Sequence, residues 1–258
     1  MQNNTFSTLF VGQNLIKLLS VDSTNNYLKK LTSNSEPLPN GTVIMAENQY
    51  AGRGQQGNIW HAESGKNLTF SVYLTTDFIT IEKHFMLNMA ISIALNNALV
   101  KYLPAGLSIK WPNDVYFVNK KIGGVLIENT IVGNRLKHTI IGIGLNVNQT
   151  VFAKELENKA GSIAQILQQD VDLTKLLNEI CTQIEQLYLK LKNNETSLST
   201  LYTAKLYKVN QLAKYRSLVD GRIFEGRIEG ITAMGLLKIK PLNGDSIEFN
   251  FKEIEFLA

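Results

Sequence analysis

Four segments of this 258-residue chain carry residue types suited to chemistry on anions. The first is Gln49-Tyr50-Ala51-Gly52-Arg53-Gly54-Gln55-Gln56-Gly57-Asn58-Ile59-Trp60, where glycines alternate with polar side chains. Such a loop can turn backbone N–H groups around an anion and add a guanidinium fork. The same composition also suits a flexible surface connection. It lacks the G-x-x-x-x-G-K-[ST] spacing of a P-loop. An alternating run follows it, whereas a dinucleotide fingerprint leads into a helix.

The second segment is Lys110-Trp111-Pro112-Asn113-Asp114. Pro112 fixes a bend and keeps Trp111 extended. An ammonium, an amide and a carboxylate then project close together. They could bind phosphate, a base or sugar, and magnesium, or form an ordinary strand connection with an Asx turn. The third is Lys120-Lys121-Ile122-Gly123-Gly124-Val125-Leu126-Ile127-Glu128. A lysine before paired glycines can approach a ligand closely; the alternative is a bulged strand with exposed basic residues. The fourth is Ile141-Gly142-Ile143-Gly144-Leu145-Asn146-Val147-Asn148, glycines in a strand followed by two asparagines. By itself it reads as a close strand crossing.

The elements that position these segments are legible as patterns. Thr42–Glu47 and Asn67–Leu74 alternate as strands on either side of the glycine loop. His84–Leu103 has apolar residues at helical spacing, and Pro104 stops it. Leu107–Trp111, Val115–Val118, Gly124–Ile131 and Lys137–Val147 read as strands, with Asn119-Lys120 as a hairpin turn. Leu173–Lys192 predicts a helix with Leu176, Ile180, Ile184, Leu187 and Leu191 on one stripe and Asp172 as N-cap. Beyond about residue 205 come short alternating runs (Ser217–Val219, Arg222–Ile231, Gly235–Lys240, Ser246–Phe251). Asp220-Gly221 and Asn243-Gly244 turns separate them, which predicts a small all-β unit. The fold class is therefore α+β. Residues 1–207 form a mixed β-sheet backed by helices, and 208–258 a small barrel.

Composition narrows the classes. Met1 to Phe10 lacks the basic-then-apolar pattern of a secretory signal, and no apolar run spans a bilayer. This predicts a cytoplasmic protein with no membrane partner. Cys181 is the only cysteine and lies in an amphipathic helical pattern, so it reads as a small core hydrophobe. His61, His84 and His138 lack ligand spacing, which argues against zinc. The net charge is +4. Residues 205–258 hold nine Lys/Arg and seven Asp/Glu, and the remainder seventeen and fifteen, so each part carries +2. An evenly spread excess argues against a nucleic-acid partner.

Taken together, the four segments resemble the biotin–protein ligases. Members of that family carry a G-R-G-R-x-G loop, then K-W-P-N-D, K-x-G-G-[IV]-L-x-E and G-[IA]-G-x-N-x-N, in this order. Ser23-Thr24-Asn25 supplies the upstream S-T-N triplet. The resemblance runs from Ser23 to Gly161-Ser162-Ile163. It implies a catalytic domain over 1–207 and an SH3-like β-barrel over 208–258. It also implies ATP-dependent activation of biotin to biotinyl-5′-AMP, then transfer to a lysine of a carboxylase's biotin carboxyl carrier domain. ATP, Mg²⁺ and biotin would be the small molecules, with no prosthetic group. Homodimers are common in the family. A lipoate–protein ligase of the same fold is the alternative.

The resemblance assigns roles by position. Lys121 matches the catalytic lysine, bridging the biotin carboxylate and the α-phosphate, and Arg53 pairs with phosphate. Ser23, Thr24, Asn25, Gln49, Gly52, Gly123 and Gly124 join Arg53 and Lys121 around biotin. Trp60, Lys110, Asn113, Asp114 and Asn146 serve the nucleotide, with Asp114 the magnesium ligand. Gln55, Gln56 and Asn58 stand where the family often has arginine, which implies either a compensating cation elsewhere or a weaker grip on the adenylate. Twenty-two residues precede Ser23, too few for the DNA-binding domain of some members, so the form implied is monofunctional.

Overall fold

Period-two runs of Val, Ile, Leu and Phe build most of the strands in the computed structural model, which describes residues 6–33, 37–193 and 198–257, without the side chain of Gln56. In chain order these and the helices are β1 (Leu15–Val21), α1 (Thr24–Thr32), β2 (Val43–Gln49), β3 (Leu68–Thr75), α2 (Phe85–Val100), β4 (Leu107–Lys110), β5 (Asp114–Phe117), β6 (Lys120–Val132) and β7 (Arg135–Leu145). Then follow α3 (Ile163–Leu167), α4 (Leu173–Lys192), α5 (Leu198–Ala204), β8 (Ala213–Ser217), β9 (Ile223–Ile231), β10 (Leu237–Pro241), β11 (Ile247–Phe249) and β12 (Ile254–Phe256). The first seven strands form a mixed sheet in the order β1-β2-β3-β7-β6-β5-β4. Only β1–β2 is parallel; the other pairs are antiparallel.

Each face of this sheet is covered. On one, α1 buries Leu28 against Ile44, Tyr73 and Ile140. On the other lies the main core, where α4 packs along α2 and all five stripe residues of α4 are buried. Asp172 caps α4 as expected, accepting from the amides of Thr174 and Lys175. Cys181 is fully buried in this core, and burial pushes its thiol pKa up. Helix α2 forms where the helical spacing predicts it. It is buried almost all round, and two of its polar residues reach internal partners: Asn88 donates to Pro112 O, and Asn96 Oδ1 accepts from Lys205. It also ends at Val100, ahead of Pro104. Among the described residues, no helix is long and apolar enough to cross a membrane.

A buried carboxylate fixes the N-terminal segment. Glu185 of α4 accepts the backbone N–H groups of Leu9, Phe10 and Val11 at 2.8, 2.7 and 3.0 Å. Glu185→Gln replaces one acceptor oxygen with a donor facing donors. We expect a stability loss of about 2–3 kcal/mol, read as a lower urea midpoint at unchanged m-value.

The C-terminal strands form a five-stranded antiparallel sheet in the order β11-β10-β9-β8-β12, with β11 and β12 as open edges. Three of its strands match sequence expectation. The run expected at Ser217–Val219 instead ends β8, because Asp220-Gly221 turns the chain there. Trp111 docks this unit on the first. Its indole N–H reaches Gly235 O at 3.0 Å, and its ring lies 4.9 Å from that of Phe251. A Cβ on Gly235 would sit 2.2 Å from the Phe85 ring. Pro112 O accepts from Tyr202 and Asn88 at 2.5 and 2.9 Å. The K-W-P-N-D segment thus joins the two units as well as turning the chain between β4 and β5.

Candidate active site

Side chains on one face of a strand repeat every second residue. On the α1 face of the sheet, β6 presents Gly124, Leu126 and Glu128, opposite Gly144, Gly142 and Ile140 of β7. The glycines leave a trough that neighbouring side chains enter. A Cβ on Gly142 would meet Asn25 Oδ1 at 2.4 Å, and one on Gly144 would meet the Trp60 indole at 2.4 Å. A Cβ on Gly124 would crowd Asp114 Oδ1 at 3.0 Å and Lys121 Nζ at 3.3 Å.

A cavity of about 160 Å³ lies over this trough. The N-terminus of α1 (Ser23, Thr24, Asn25) and Gln49 form one wall, Arg53 to Trp60 the roof, and Asp114 and Lys121 the far end. Polarity changes across it. Over β2 and β3 the groups are neutral: Gln49 Oε1 accepts from Thr24 N at 2.7 Å, and Ser71 Oγ lies 2.6 Å from both Thr24 Oγ1 and Asn25 Oδ1. Over β5 and β6 they are charged. Lys121 Nζ lies 2.7 Å from Asp114 Oδ1, and Arg53 Nη2 lies 3.0 Å from Glu128 Oε1. Leu126 lies on the cavity's face of the sheet, whereas Phe70, Val125 and Ile143 alternate to the opposite face and sit in the main core, bordering the cavity only from beneath.

The roof is a small hairpin. Arg53 and Ile59 form an antiparallel bridge, and the N–H groups of Gly54, Asn58 and Trp60 bond within the loop. This corrects one expectation. Those three N–H groups are not offered to an anion, because the loop folds on itself first. The Arg53 side chain is its cationic group.

The family model described as "Biotin/lipoate A/B protein ligase family" matches residues 18–146, half of the chain. The chain belongs to that family. The bifunctional ligase/repressor BirA of Bacillus spizizenii is 29% identical over 240 residues, covering 92% of this chain and 72% of that one. The biotin–[acetyl-CoA-carboxylase] ligase of Mycobacterium tuberculosis is 27% identical over 168 residues, covering 64% of this chain and 60% of that protein. A biotin protein ligase from Aquifex aeolicus, solved in complex with biotin and ATP, superposes with a TM-score of 0.77 at 28% identity, covering 95% of this chain and 98% of that one.

Within this family member, the residues expected at the site divide into two groups. Ser23, Thr24, Asn25, Gln49, Arg53, Trp60, Asp114, Lys121 and Gly124 line one cavity. Gly52, Lys110, Asn113, Gly123 and Asn146 do not line it. Gly52 lets the arms of the roof close, since a Cβ there would lie 2.4 Å from Trp60 O. Gly123 makes room for Leu145 on the opposite face. Asn113 is buried and bonds Val125 O at 2.9 Å, holding the turn to β6. Asn146 donates to Gly161 O at 3.1 Å, while its buried Oδ1 has no partner among the described residues. Gly161 N in turn bonds Lys121 O at 3.0 Å, so Asn146 steadies the strand that carries the lysine.

Lys110 points elsewhere. Its ammonium lies 5.0 Å from the Tyr116 ring centroid and 5.1 Å from that of Phe256, between the two units. Burial lowers its pKa, with Asp114 working against that shift. Ser71 and Asn26 carry no signal in the sequence, because their roles arise only when α1 packs against β3 and beneath the glycine loop. Glu128 lies within its motif, which gives it no partner. Gln55 and Asn58 do line the cavity; the side chain of Gln56 lies outside the described ones.

Proposed function

We propose that the protein activates biotin with ATP to biotinyl-5′-AMP and transfers the biotinyl group to a lysine of a carboxylase's biotin carrier domain. The observation that carries this reading is the polarity change across a single cavity. Neutral donors and acceptors at Ser23, Thr24 and Gln49 suit an uncharged ureido ring, the glycine trough beside Leu126 leaves room for an alkyl chain, and Lys121 with Arg53 suits anions. A dithiolane ring would leave the neutral polar end unpaired, which favours biotin over lipoate.

In the first step a biotin carboxylate oxygen attacks the α-phosphorus and pyrophosphate leaves. In the second, the neutral acceptor amine attacks the mixed anhydride, AMP leaves, and the amine loses a proton. No bond to the enzyme is needed. Its part is to hold two anions together and to neutralise charge as it develops. Lys121 would bridge the carboxylate and an α-phosphate oxygen, and Arg53 would meet the phosphates. Trp60 covers the nucleotide. The orphan Oδ1 of Asn146 would accept from the base, and Lys110 would reach the phosphates by leaving its aromatic seat.

Among the described residues, no group of three His, Cys, Asp or Glu could hold a metal by itself. Asp114 would hold magnesium brought in with ATP, where the ion would offset phosphate charge. We place the division at 1–207 and 208–258, regard the C-terminal sheet as an open SH3-like unit, and assign the protein to the cytoplasm. Incubation with ATP, Mg²⁺, a carrier domain and labelled biotin or lipoate tests the reading. Label transferred from biotin supports it; transfer from lipoate alone overturns it.

Gln55 faces the cavity as a neutral amide. We expect Gln55→Arg to slow adenylate dissociation several-fold, since a charge-assisted bond replaces a neutral one. An unchanged or faster off-rate in a filter-binding chase would remove Gln55 from the account.

A further inference from the structure

We propose that Glu128 is a positioning residue that holds the glycine-rich loop closed over the cavity, acting through Arg53. Its effect on the adenylate rests on the biotin-activating reading above; its effect on the loop does not.

Arg53 is the only charged residue from Gln49 to Trp60. The loop is internally bonded, and its base is tied down by Tyr50 N to Val21 O and Ala51 N to Asp22 O. Across the cavity, Arg53 spans to β6 and α1: Nη2 to Glu128 Oε1 at 3.0 Å, Nη1 to Glu128 Oε2 at 3.4 Å, and Nη1 to Asn26 Oδ1 at 2.7 Å. Glu128 Oε2 also accepts from Asn25 Nδ2 at 2.8 Å. One carboxylate therefore gathers the roof and the α1 wall. Asn25 continues through Ser71 and Thr24 to Gln49, so the neutral end of the cavity and the loop share one hydrogen-bond network. The Arg53 and Glu128 side chains are 41% and 26% exposed, which screens the pair without cancelling it.

The test is hydrogen–deuterium exchange of residues 50–60 in the ligand-free protein, with α4 as the fold control. Glu128→Gln and Arg53→Gln should each speed exchange about three- to tenfold. The double variant should fall well short of additivity, because the two singles share the Arg53–Glu128 contact while Arg53 also loses Asn26 and Glu128 also loses Asn25, and Glu128→Asp should recover part of the protection. The rate at which adenylate leaves should rise by a similar factor in Glu128→Gln. Unchanged loop exchange in both single variants, or additive effects in the double, overturns the proposal. Should Glu128→Gln fail to fold, Arg53→Gln beside an Asn26→Ala control decides it: faster loop exchange in Arg53→Gln than in the control supports the latch, and equal exchange overturns it. A wild-type protein that forms no adenylate would defeat the biotin-activating reading, and the exchange result would still decide the latch.

Discussion

Lys121→Met is expected to leave a folded protein whose biotin-dependent exchange of pyrophosphate into ATP falls about 10²–10³-fold, the usual cost of losing one oriented transition-state donor. The carboxylate of biotin and the α-phosphate of ATP repel one another, so bringing them into contact requires a positive group between them. Lys121 sits at the charged end of the cavity, beside the bare backbone of Gly124. In the ligand-free protein Asp114 holds its ammonium at 2.7 Å, which keeps the long side chain oriented before substrates arrive. Methionine keeps the unbranched chain to within one atom and removes the charge. The two partners are 35% and 30% exposed, so Asp114 remains hydrated and folding should be undisturbed. Near-normal exchange with an unchanged melting curve would show that another group neutralises the reacting anions.

The second large effect is steric. Gly142→Ala places a methyl group 2.4 Å from Asn25 Oδ1 and 3.0 Å from its Cγ. Asn25 is 2% exposed and held between Ser71 and Glu128, so it cannot swing into water without breaking a buried network. Either β7 shifts or the network opens; overpacking of this kind costs about 1–3 kcal/mol. Thr24 and Gln49 belong to the same network, so the neutral end of the cavity distorts too. We expect biotin to bind at least roughly tenfold more weakly, equivalent to about 1.4 kcal/mol, when measured by titration calorimetry. Unaltered affinity would mean that this wall of the cavity does not recognise biotin.

Much of the frame was readable before the structure. The helix expected at Leu173–Lys192 is α4, because its stripe, its N-cap and its length all agree. β2 to β7 lie within a few residues of expectation. Other elements had no such agreement. β1 reads LIKLLSV, without alternation, because it is an edge strand that buries little. α1 begins at the S-T-N triplet, and its short TNNYLKKLT run has little apolar content. The β5–β6 turn falls at Val118–Asn119 rather than Asn119–Lys120: Val118 takes a positive φ of 52°, which a β-branched residue rarely adopts and sequence rules would not assign to it.

The site shows the same division. Motif positions identified side chains that share one cavity, but not what each side chain touches. Lys110 and Asp114 lie opposite each other across β4 and β5, yet only Asp114 reaches the cavity; aromatic rings from β5 and the C-terminal sheet hold Lys110 aside. That depends on how a distant unit packs, and Trp111 sets the packing. Glu128 stood inside a quoted motif with no assigned work, because its partners Asn25 and Arg53 lie 103 and 75 residues away in sequence.

The most direct measurement of the central claim is exchange of labelled pyrophosphate into ATP by the wild-type protein, with biotin, lipoate or no acid added. The account predicts exchange that requires biotin and stays at background with lipoate. Exchange supported by lipoate and not by biotin, or by neither, would contradict it.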